Sequence, residues 1–437
     1  MRRLVFPLLV VCLSWVCARP VAAEPKVTMT ASVPRGALAI TIYNPAVSLI
    51  QEQRQLSLVK GLNEFRISWA GVNVTRDSVR LMLLDGAREV EIRDAVRPAN
   101  DPNTVIWHLE AKRDGTYPIS LSYYVGRFAW DADYVLTVDD QEKSVWLKVW
   151  ADITNGTGED YQDAKVRLVL GEVRLLSAGV AAGAPSSAMP TLAQPTPPGA
   201  PGPSGPAGAP GYTAGYGAAE KEAPAPFARE GFADYTFYDL ARPESLDSGE
   251  TKRIILAASG GLALRKVYTF DPELFGSNVA VRYWIENKKE YGLGPLPPGL
   301  VRVYRQDKDG GLSLLGEDVL SYVPVGETAK IYLGVTRNLI VEVAQTDYQR
   351  SDEQWAPDKS RLIQYTEQSA YKVTVKNRKP EAVELIVRQQ IPTDAKLLEA
   401  QPKPNQPRLG LLEWTMNLAP GETRELTYRT SRTVYNR

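Results

Sequence analysis

The sequence predicts an all-β protein, built from two or three antiparallel β-sandwich units of Ig-like or fibronectin-like type with a flexible Pro/Gly-rich insertion. Three observations support this fold class. Apolar residues alternate with polar or small ones along most of the chain, and apolar residues at helical spacing are nearly absent. Turn-forming residues separate the alternating runs. A single internal stretch breaks the pattern and consists mainly of Ala, Pro, Gly and Ser.

Residues 1–23 are predicted to be a signal peptide. Basic residues at Arg2 and Arg3 precede an apolar run from Leu4 to Val16, and Val21-Ala22-Ala23 suits cleavage after Ala23. The apolar run is too short to span a bilayer comfortably, which disfavours the alternative of a retained membrane anchor. We therefore expect the protein to be exported.

Cleavage of this segment would limit the chemistry of the mature protein. It removes both cysteines, Cys12 and Cys17, so no disulfide, thiolate nucleophile or thiolate metal site is expected. It also removes three arginines from 51 basic residues, which leaves 48 beside 51 acidic residues. A nearly neutral protein lacks the excess basic charge that favours nucleic acid. Nothing else in the sequence resembles a transmembrane helix.

An N-terminal β domain is predicted at 24–112. Its inward-facing positions alternate with polar or small neighbours, as in Phe65, Ile67 and Trp69. His108 is the only histidine of the chain and lies out of phase with the apolar residues around it, so it is expected on the solvent face. A Ser-His-Asp triad or a site with several histidine ligands is therefore not expected.

A central β-sandwich is predicted from 113–176 together with 232–346, interrupted by the flexible Ala/Pro/Gly-rich insertion at 177–231. Within the insertion, 199–210 forms four G-x-y triplets, which are too few to hold a collagen trimer together. The residues alone leave open whether the insertion interrupts one domain or separates two. Residues 360–437 hold several short alternating runs and are predicted to form a C-terminal Ig-like sandwich.

Carboxylates offer the remaining candidates for chemistry. Asp131 and Asp133 flank one position of a strand-like segment and point to the same side, so they could act as acid and base on a glycoside. A solvated pair beside a turn is the interpretation we favour. Two loops contain oxygen ligands of the kind that calcium uses, and both are more simply interpreted as turns: one holds Glu159, Asp160 and Asp163, the other spans 307–310.

Tryptophans suggest a possible ligand surface. In the strand predicted around 145–153 the aliphatic residues take one face, which leaves Trp146, Lys148, Trp150 and Asp152 on the other. Exposed rings at Trp146 and Trp150, joined by Trp130, would form a stacking platform for sugars or a surface for a partner. The alternative is that both faces are buried between neighbouring layers, and burial is what we expect.

Several segments resemble one known family. The stretches YYVGRFAWDADYVLTVDD, FYDLARPESLDSGETKRIILAA and GLGPLPPGLVRVYRQDKDGG occur in the order found in the exported bacterial family with a domain of unknown function that includes the mucoidy inhibitor A-like proteins. The resemblance covers most of the chain after the signal peptide. It implies a periplasmic or extracellular cell-envelope protein rich in β-sandwich, with the insertion inside one domain. It brings no catalytic residues.

Three functions remain as hypotheses. The favoured one is an exported, non-enzymatic cell-envelope protein that serves as a structural or protein-interaction scaffold and contacts another envelope protein. The second is a protein that binds a surface glycan through Trp130, Trp146 and Trp150. The third is a hydrolase that uses Asp131 and Asp133. No cofactor, metal or nucleic-acid partner is expected.

Overall fold

The computed structural model describes residues 27–30, 35–43, 47–69, 71–85, 88–171, 227–232 and 235–435. Nearly all of its regular structure is β-strand in several mostly antiparallel sheets, which confirms the predicted fold class. The signal peptide predicted at 1–23 and residues 177–226 of the predicted insertion lie outside the described residues. Within the described ranges, no helix has the length and apolar character needed to cross a bilayer.

The strands are numbered in chain order. Those before residue 172 are β1 (Val27–Thr30), β2 (Leu38–Tyr43), β3 (Val47–Leu58), β4 (Gly61–Ser68), β5 (Val74–Leu83), β6 (Val90–Val96), β7 (Thr104–Ala111), β8 (Gly115–Val125), β9 (Phe128–Val138), β10 (Ser144–Asn155) and β11 (Tyr161–Leu170). Those from residue 227 to 320 are β12 (Phe227–Phe232), β13 (Tyr235–Leu240), β14 (Glu244–Leu246), β15 (Thr251–Ala263), β16 (Arg265–Phe270), β17 (Val279–Glu286), β18 (Gly299–Gln306) and β19 (Leu312–Leu320). The last strands are β20 (Thr328–Thr336), β21 (Leu339–Trp355), β22 (Leu362–Asn377), β23 (Val383–Gln390), β24 (Lys396–Gln401), β25 (Asn405–Arg408), β26 (Leu411–Leu418) and β27 (Thr423–Tyr435). One-turn helix α1 (Pro272–Phe275) and a 3-10 turn (Lys289–Tyr291) complete the described elements.

The described residues form two compact units, one within 27–38 and 51–124, the other within 39–50 and 125–435. The first unit contains a four-stranded sheet in the order β1-β4-β7-β6, in which only the β1–β4 pair is parallel. Phe65 on β4 and Trp107 on β7 stack with their ring centroids 5.6 Å apart, and both are buried. The alternating residues of this region therefore supply its core, as their spacing predicts.

A five-stranded sheet in the order β15-β10-β9-β18-β19 lies in the second unit. Its pairs are antiparallel except β9–β18, which is parallel. One face is apolar and buried because the aliphatic residues of β10 alternate strictly, from Val145 to Ile153. Aromatic residues of β9 extend this inner face, where Phe128 contacts Tyr161 of β11 and Trp130 contacts Tyr238 of β13.

Strands that precede and follow residues 172–226 belong to one sheet. β11 pairs antiparallel with β13 and parallel with β2, and β14 also pairs with β11. Arg167 on β11 holds Asp239 on β13 through two hydrogen bonds from its guanidinium group. The chain that leaves β11 therefore returns to the same layer, which is the arrangement expected of an insertion within a domain.

The C-terminal part of the second unit is a two-layer sandwich. One layer has the order β20-β17-β16-β23-β26-β25 and the other β21-β22-β27-β24. Side chains from both layers form one buried core, with Phe270, Leu385 and Trp414 in the first layer and Val373 and Leu426 in the second. The sandwich includes β16, β17, β20 and β21, which precede the 360–437 range predicted for a C-terminal domain. β16 pairs parallel with β23 across more than a hundred residues, a long-range contact that strand patterns do not reveal.

Shortening a core side chain of this sandwich should lower the free energy of unfolding of that part of the protein. Leu385 is fully buried between the two layers, so Leu385→Ala should cost about 2–5 kcal/mol through lost burial and the cavity that remains. Leu409 is 75% exposed in the same sandwich, and Leu409→Ala is the matched control with little expected effect. Urea unfolding followed by tryptophan fluorescence compares the two, and equal midpoints would contradict the assigned core.

Candidate functional site

The face of the five-stranded sheet opposite its buried side carries the polar and aromatic residues singled out in the sequence. Cross-strand register places Trp150 beside Asp133 and Asp152 beside Asp131. The same register continues into β18 and β19, where Arg302 lies beside Val135 and Glu317 beside Arg302. This surface is called the outer face, and its main side chains are Asp131, Asp133, Val135, Thr137, Trp146, Lys148, Trp150, Asp152, Arg253, Arg302, Tyr304 and Glu317.

Asp133 is the centre of an ionic network on the outer face. Its side chain is almost completely buried, and both carboxylate oxygens accept hydrogen bonds from arginines. Arg253 Nη2 lies 2.6 Å from Oδ2, whereas Arg302 Nη1 lies 2.9 Å from Oδ1 and 3.1 Å from Oδ2. Arg302 also contacts Glu317 at 2.9 Å. The network therefore links β15, β9, β18 and β19 across the sheet.

Arg253 joins this network to Asp152. Its Nε and Nη2 atoms each lie 2.7 Å from one carboxylate oxygen of Asp152, which is the two-point geometry that arginine favours with carboxylates. The Asp152 hydrogen bond is the main cause that raises the pKa of Arg253 above its ordinary value. The guanidinium group is therefore a permanent cation held between two acids.

Asp131 and Asp133 point to one side of β9, as predicted, but their surroundings differ. Asp133 is not a solvated carboxylate beside a turn, because it is buried and bound by two arginines. Asp131 is exposed, and partial shielding from water, followed by repulsion from Asp152, raises its pKa. A hydrolase would need both groups to face a substrate, and both oxygens of Asp133 already have partners.

The three predicted tryptophans lie in three different environments. Trp130 is 2% exposed and sits on the inner face against Tyr238, so it cannot contribute to an exposed ligand surface. The physical reason is its position in phase with the buried aromatic and aliphatic residues of β9. Trp150 lies on the outer face and is partly covered, with the Arg253 guanidinium 5.8 Å from its ring centroid. That contact is a cation–π interaction within the network.

Trp146 is 54% exposed, so the expectation that both faces of this strand are buried is wrong here. Its ring lies over Gly260 of β15. A Cβ atom built on Gly260 would be 2.5 Å from Cη2 and Cζ2 of the indole and 2.6 Å from Cδ2, three atoms spread across the six-membered ring. The glycine therefore faces the flat side of the indole rather than its edge, and the opposite side of the ring is the exposed one.

A β-bulge accommodates this contact. The register of β10 and β15 shifts between Val145 and Leu147, and Gly261 follows with φ of +69°. Only glycine adopts such a backbone conformation without steric cost. Two consecutive glycines within a strand indicate a bulge or a close approach of another group. Gly260 and Gly261 are therefore the sequence signal for the place where the Trp146 ring packs.

The remaining sequence candidates lie elsewhere. His108 is partly buried in the first unit, with Nδ1 2.5 Å from Asp94 Oδ1 and Nε2 3.9 Å from Glu64 Oε2. Asp160 accepts the backbone N–H of Ser248, and Asp307 accepts the hydroxyl of Ser313. No group of three or more His, Cys, Asp or Glu residues suited to a metal ion occurs in the ranges that the structure covers.

Comparison with known families bears directly on the unit that carries the outer face. A family model described as "Domain of unknown function (DUF4139)" matches residues 119–434, well over half of the chain. The chain belongs to the DUF4139 family. The match includes all five strands of the sheet that carries the outer face, on both sides of the gap at 172–226. The comparison with curated proteins gives no match.

Neutralising Asp133 should destabilise this DUF4139 protein. Asp133→Asn keeps the size of the side chain but removes the charge that two guanidinium groups share, so we expect a loss of about 1–3 kcal/mol in the free energy of unfolding. Urea denaturation at pH 7 measures the loss. Asp131→Asn, two residues away on the same strand, is the control, and a loss of equal size in both variants would contradict the central position of Asp133.

Neutralising Asp131 should change the free energy of unfolding in the opposite direction from neutralising Asp133. The pKa of Asp131 is raised in the folded protein, so its ionisation opposes folding once the pH exceeds the pKa of the unfolded chain. Asp131→Asn should therefore stabilise the protein at pH 7, by roughly 0.5 kcal/mol because the group is exposed. The difference from the wild type should vanish as the pH falls below the ordinary aspartate pKa. Denaturation curves from pH 3 to pH 7 test this, and a gain that grows toward acid pH would refute it.

Proposed function

We propose that this DUF4139 protein is an exported, non-enzymatic protein of the bacterial cell envelope, akin to the mucoidy inhibitor A-like proteins. It acts by contact with another envelope component, and the outer face is its contact surface. The observation that carries this proposal is Trp146, a large aromatic ring that is more than half exposed on β10, a strand whose aliphatic side chains are all buried. Exposed aromatic rings of this kind are enriched where proteins bind partners.

Export is supported by the N-terminal sequence. The basic start, the apolar run and the small residues before Glu24 match the three parts of a signal peptide. The chain has no cysteine after Ala23, so the folded protein contains no disulfide, and its C-terminal sandwich has an extensive buried core. Location in the periplasm or at the cell surface follows from this part of the proposal.

Binding rather than catalysis is supported by the network around Asp133. The carboxylate that would have to act on a substrate is buried and fully engaged by Arg253 and Arg302. A sheet whose outer face carries a charge network and the exposed indole of Trp146 suits recognition at that face.

Two classes of component fit such a surface. A protein partner would make the chain a scaffold within the envelope, which is the broader form of the proposal. A surface glycan would make it a sugar-binding protein. Both act through the same face, so an experiment on Trp146 addresses them together.

Site-specific crosslinking in the source cells tests the contact surface. A photo-crosslinking amino acid at position 146 should capture an envelope component because that side chain is more than half exposed on the outer face. The matched control is position 355, where Trp355 is exposed to a similar degree, 51%, on β21. Mass spectrometry and glycan staining identify the product. Capture at 355 alone, or equal capture at both positions, would contradict the outer face as the contact surface.

A further inference from the structure

The indole of Trp146 lies flat against the backbone of β15 at Gly260. Its inner side lies on Gly260, where no side chain separates the ring from the backbone. A tryptophan held in this way does not need to be ordered when a ligand binds, so little conformational entropy is lost on binding. The exposed side is consequently a preformed flat surface.

The groups beside this ring are polar rather than apolar. Thr137 lies directly across from Trp146 on β9, and Tyr304 lies across from Thr137 on β18. Lys148 is two residues along β10 and therefore on the same face. Neighbouring strands are about 4.8 Å apart, so the row from Trp146 through Thr137 to Tyr304 extends roughly 10 Å across the sheet.

This combination differs from the usual centre of a protein–protein interface. Such centres are contiguous apolar surfaces from which charged groups are depleted. Trp146 instead has glycine on one side, threonine on the other and lysine next along its strand. The large exposed aliphatic residues of this sheet, Leu312, Leu314 and Val319, all lie on β19, three strands away from β10. Leu314 lies across from Tyr304, at the far end of the row that begins at Trp146.

We infer that Trp146 is a stacking platform for a sugar ring of an envelope glycan, an inference that rests on the proposed function and names its ligand class. The apolar face of a pyranose covers the open side of the indole, where C–H groups meet the negative face of the π-system. The hydroxyl groups at the edge of the sugar then reach Thr137, Tyr304 and Lys148, which supply hydroxyl oxygens and an ammonium donor. The chain extends along the row across β9 and β18.

Trp150 is not a second platform. Arg253 covers its ring and is itself fixed by Asp152 and Asp133, so a sugar would have to displace a guanidinium group that has three strong hydrogen bonds. The network thus limits stacking to one ring. Single-ring stacking supports weak, reversible binding of a repetitive polymer rather than tight binding of a small sugar.

The test uses the purified mature protein with defined polysaccharides. Retention is measured by affinity electrophoresis in gels that contain dextran or hydroxyethyl cellulose, and by co-sedimentation with purified peptidoglycan. We expect at least one of these glycans to retain the wild type, with Trp146→Ala lowering the affinity about tenfold or more. Trp355→Ala, which removes an equally exposed tryptophan from β21, should bind like the wild type.

Two further variants separate stacking from a structural role of the ring. Gly260→Ala keeps the tryptophan but introduces a Cβ atom 2.5 Å from the present position of the ring, so the indole must shift and binding should weaken. Trp146→Phe keeps an aromatic face and should retain part of the affinity. Thermal midpoints of all variants are measured alongside, because a structural role alone would change the midpoint and leave glycan retention intact.

The outcomes are distinct. Weaker retention of Trp146→Ala and Gly260→Ala, measured well below the thermal midpoint of each variant, supports the platform whether or not the midpoints fall. The stacking platform is overturned if Trp146→Ala is retained as well as the wild type, or if none of the three glycans retains the wild type. In the latter case, capture of a protein through position 146 in cells would keep the proposed function and reject only the glycan, whereas no capture at 146 would reject both.

Discussion

The alternation of side chains in β9 and β10 is the constraint on which the second unit depends. Each successive residue of a strand must leave the sheet on the opposite face, so a strand with one apolar face has a second face that its core cannot use. The apolar face of these two strands is occupied by residues such as Leu136, Leu147 and Val149. What remains on the outer face must therefore be stabilised by contacts within the face or by water.

The protein solves this with charge rather than with another apolar layer. Asp133 brings Arg253 and Arg302 together from strands that are far apart in the chain, and Asp152 and Glu317 occupy the outer ends of the network. A buried carboxylate with two guanidinium partners costs desolvation but defines which strands lie side by side, since a slip by one residue would leave it unpaired. Arg253 of the same network lies against the Trp150 ring, so Trp146 is the more accessible of the two tryptophans on β10.

The sequence alone was sufficient for some of this arrangement and insufficient for the rest. Period-two alternation correctly assigns Trp146, Trp150, Asp131 and Asp133 to one side of their strands, because that inference needs only local geometry. The same alternation would have placed Trp130 inside, since it is in phase with Phe128 and Ala132. Local patterns do not show which faces are covered, so the expected burial of Trp146 failed.

The arginine partners of Asp133 could not be predicted from the sequence, for a different reason. Arg253 and Arg302 are separated from it by 120 and 169 residues, and their contacts depend on strand pairings across the insertion. Parallel pairing of β9 with β18 leaves no local turn in the sequence to announce it. The strand pattern predicts a C-terminal sandwich at 360–437 but not its extension to β16, β17, β20 and β21, because β16 joins β23 through a long crossover.

Trp146 has a structural task that must be weighed against recognition. Glycines weaken a strand at the end of a sheet, and a cross-strand aromatic ring that covers them restores part of the lost stability. β15 is the terminal strand of its sheet and contains Gly260 and Gly261, so the indole fits that task. Covering the glycine, however, uses only one side of the ring. The other side is directed away from the sheet among polar groups, and a task limited to stability would be served equally well by a ring that lay beneath its neighbours. The two roles are therefore compatible: the inner side of the Trp146 ring stabilises β15, and the exposed side is the part that a ligand would contact.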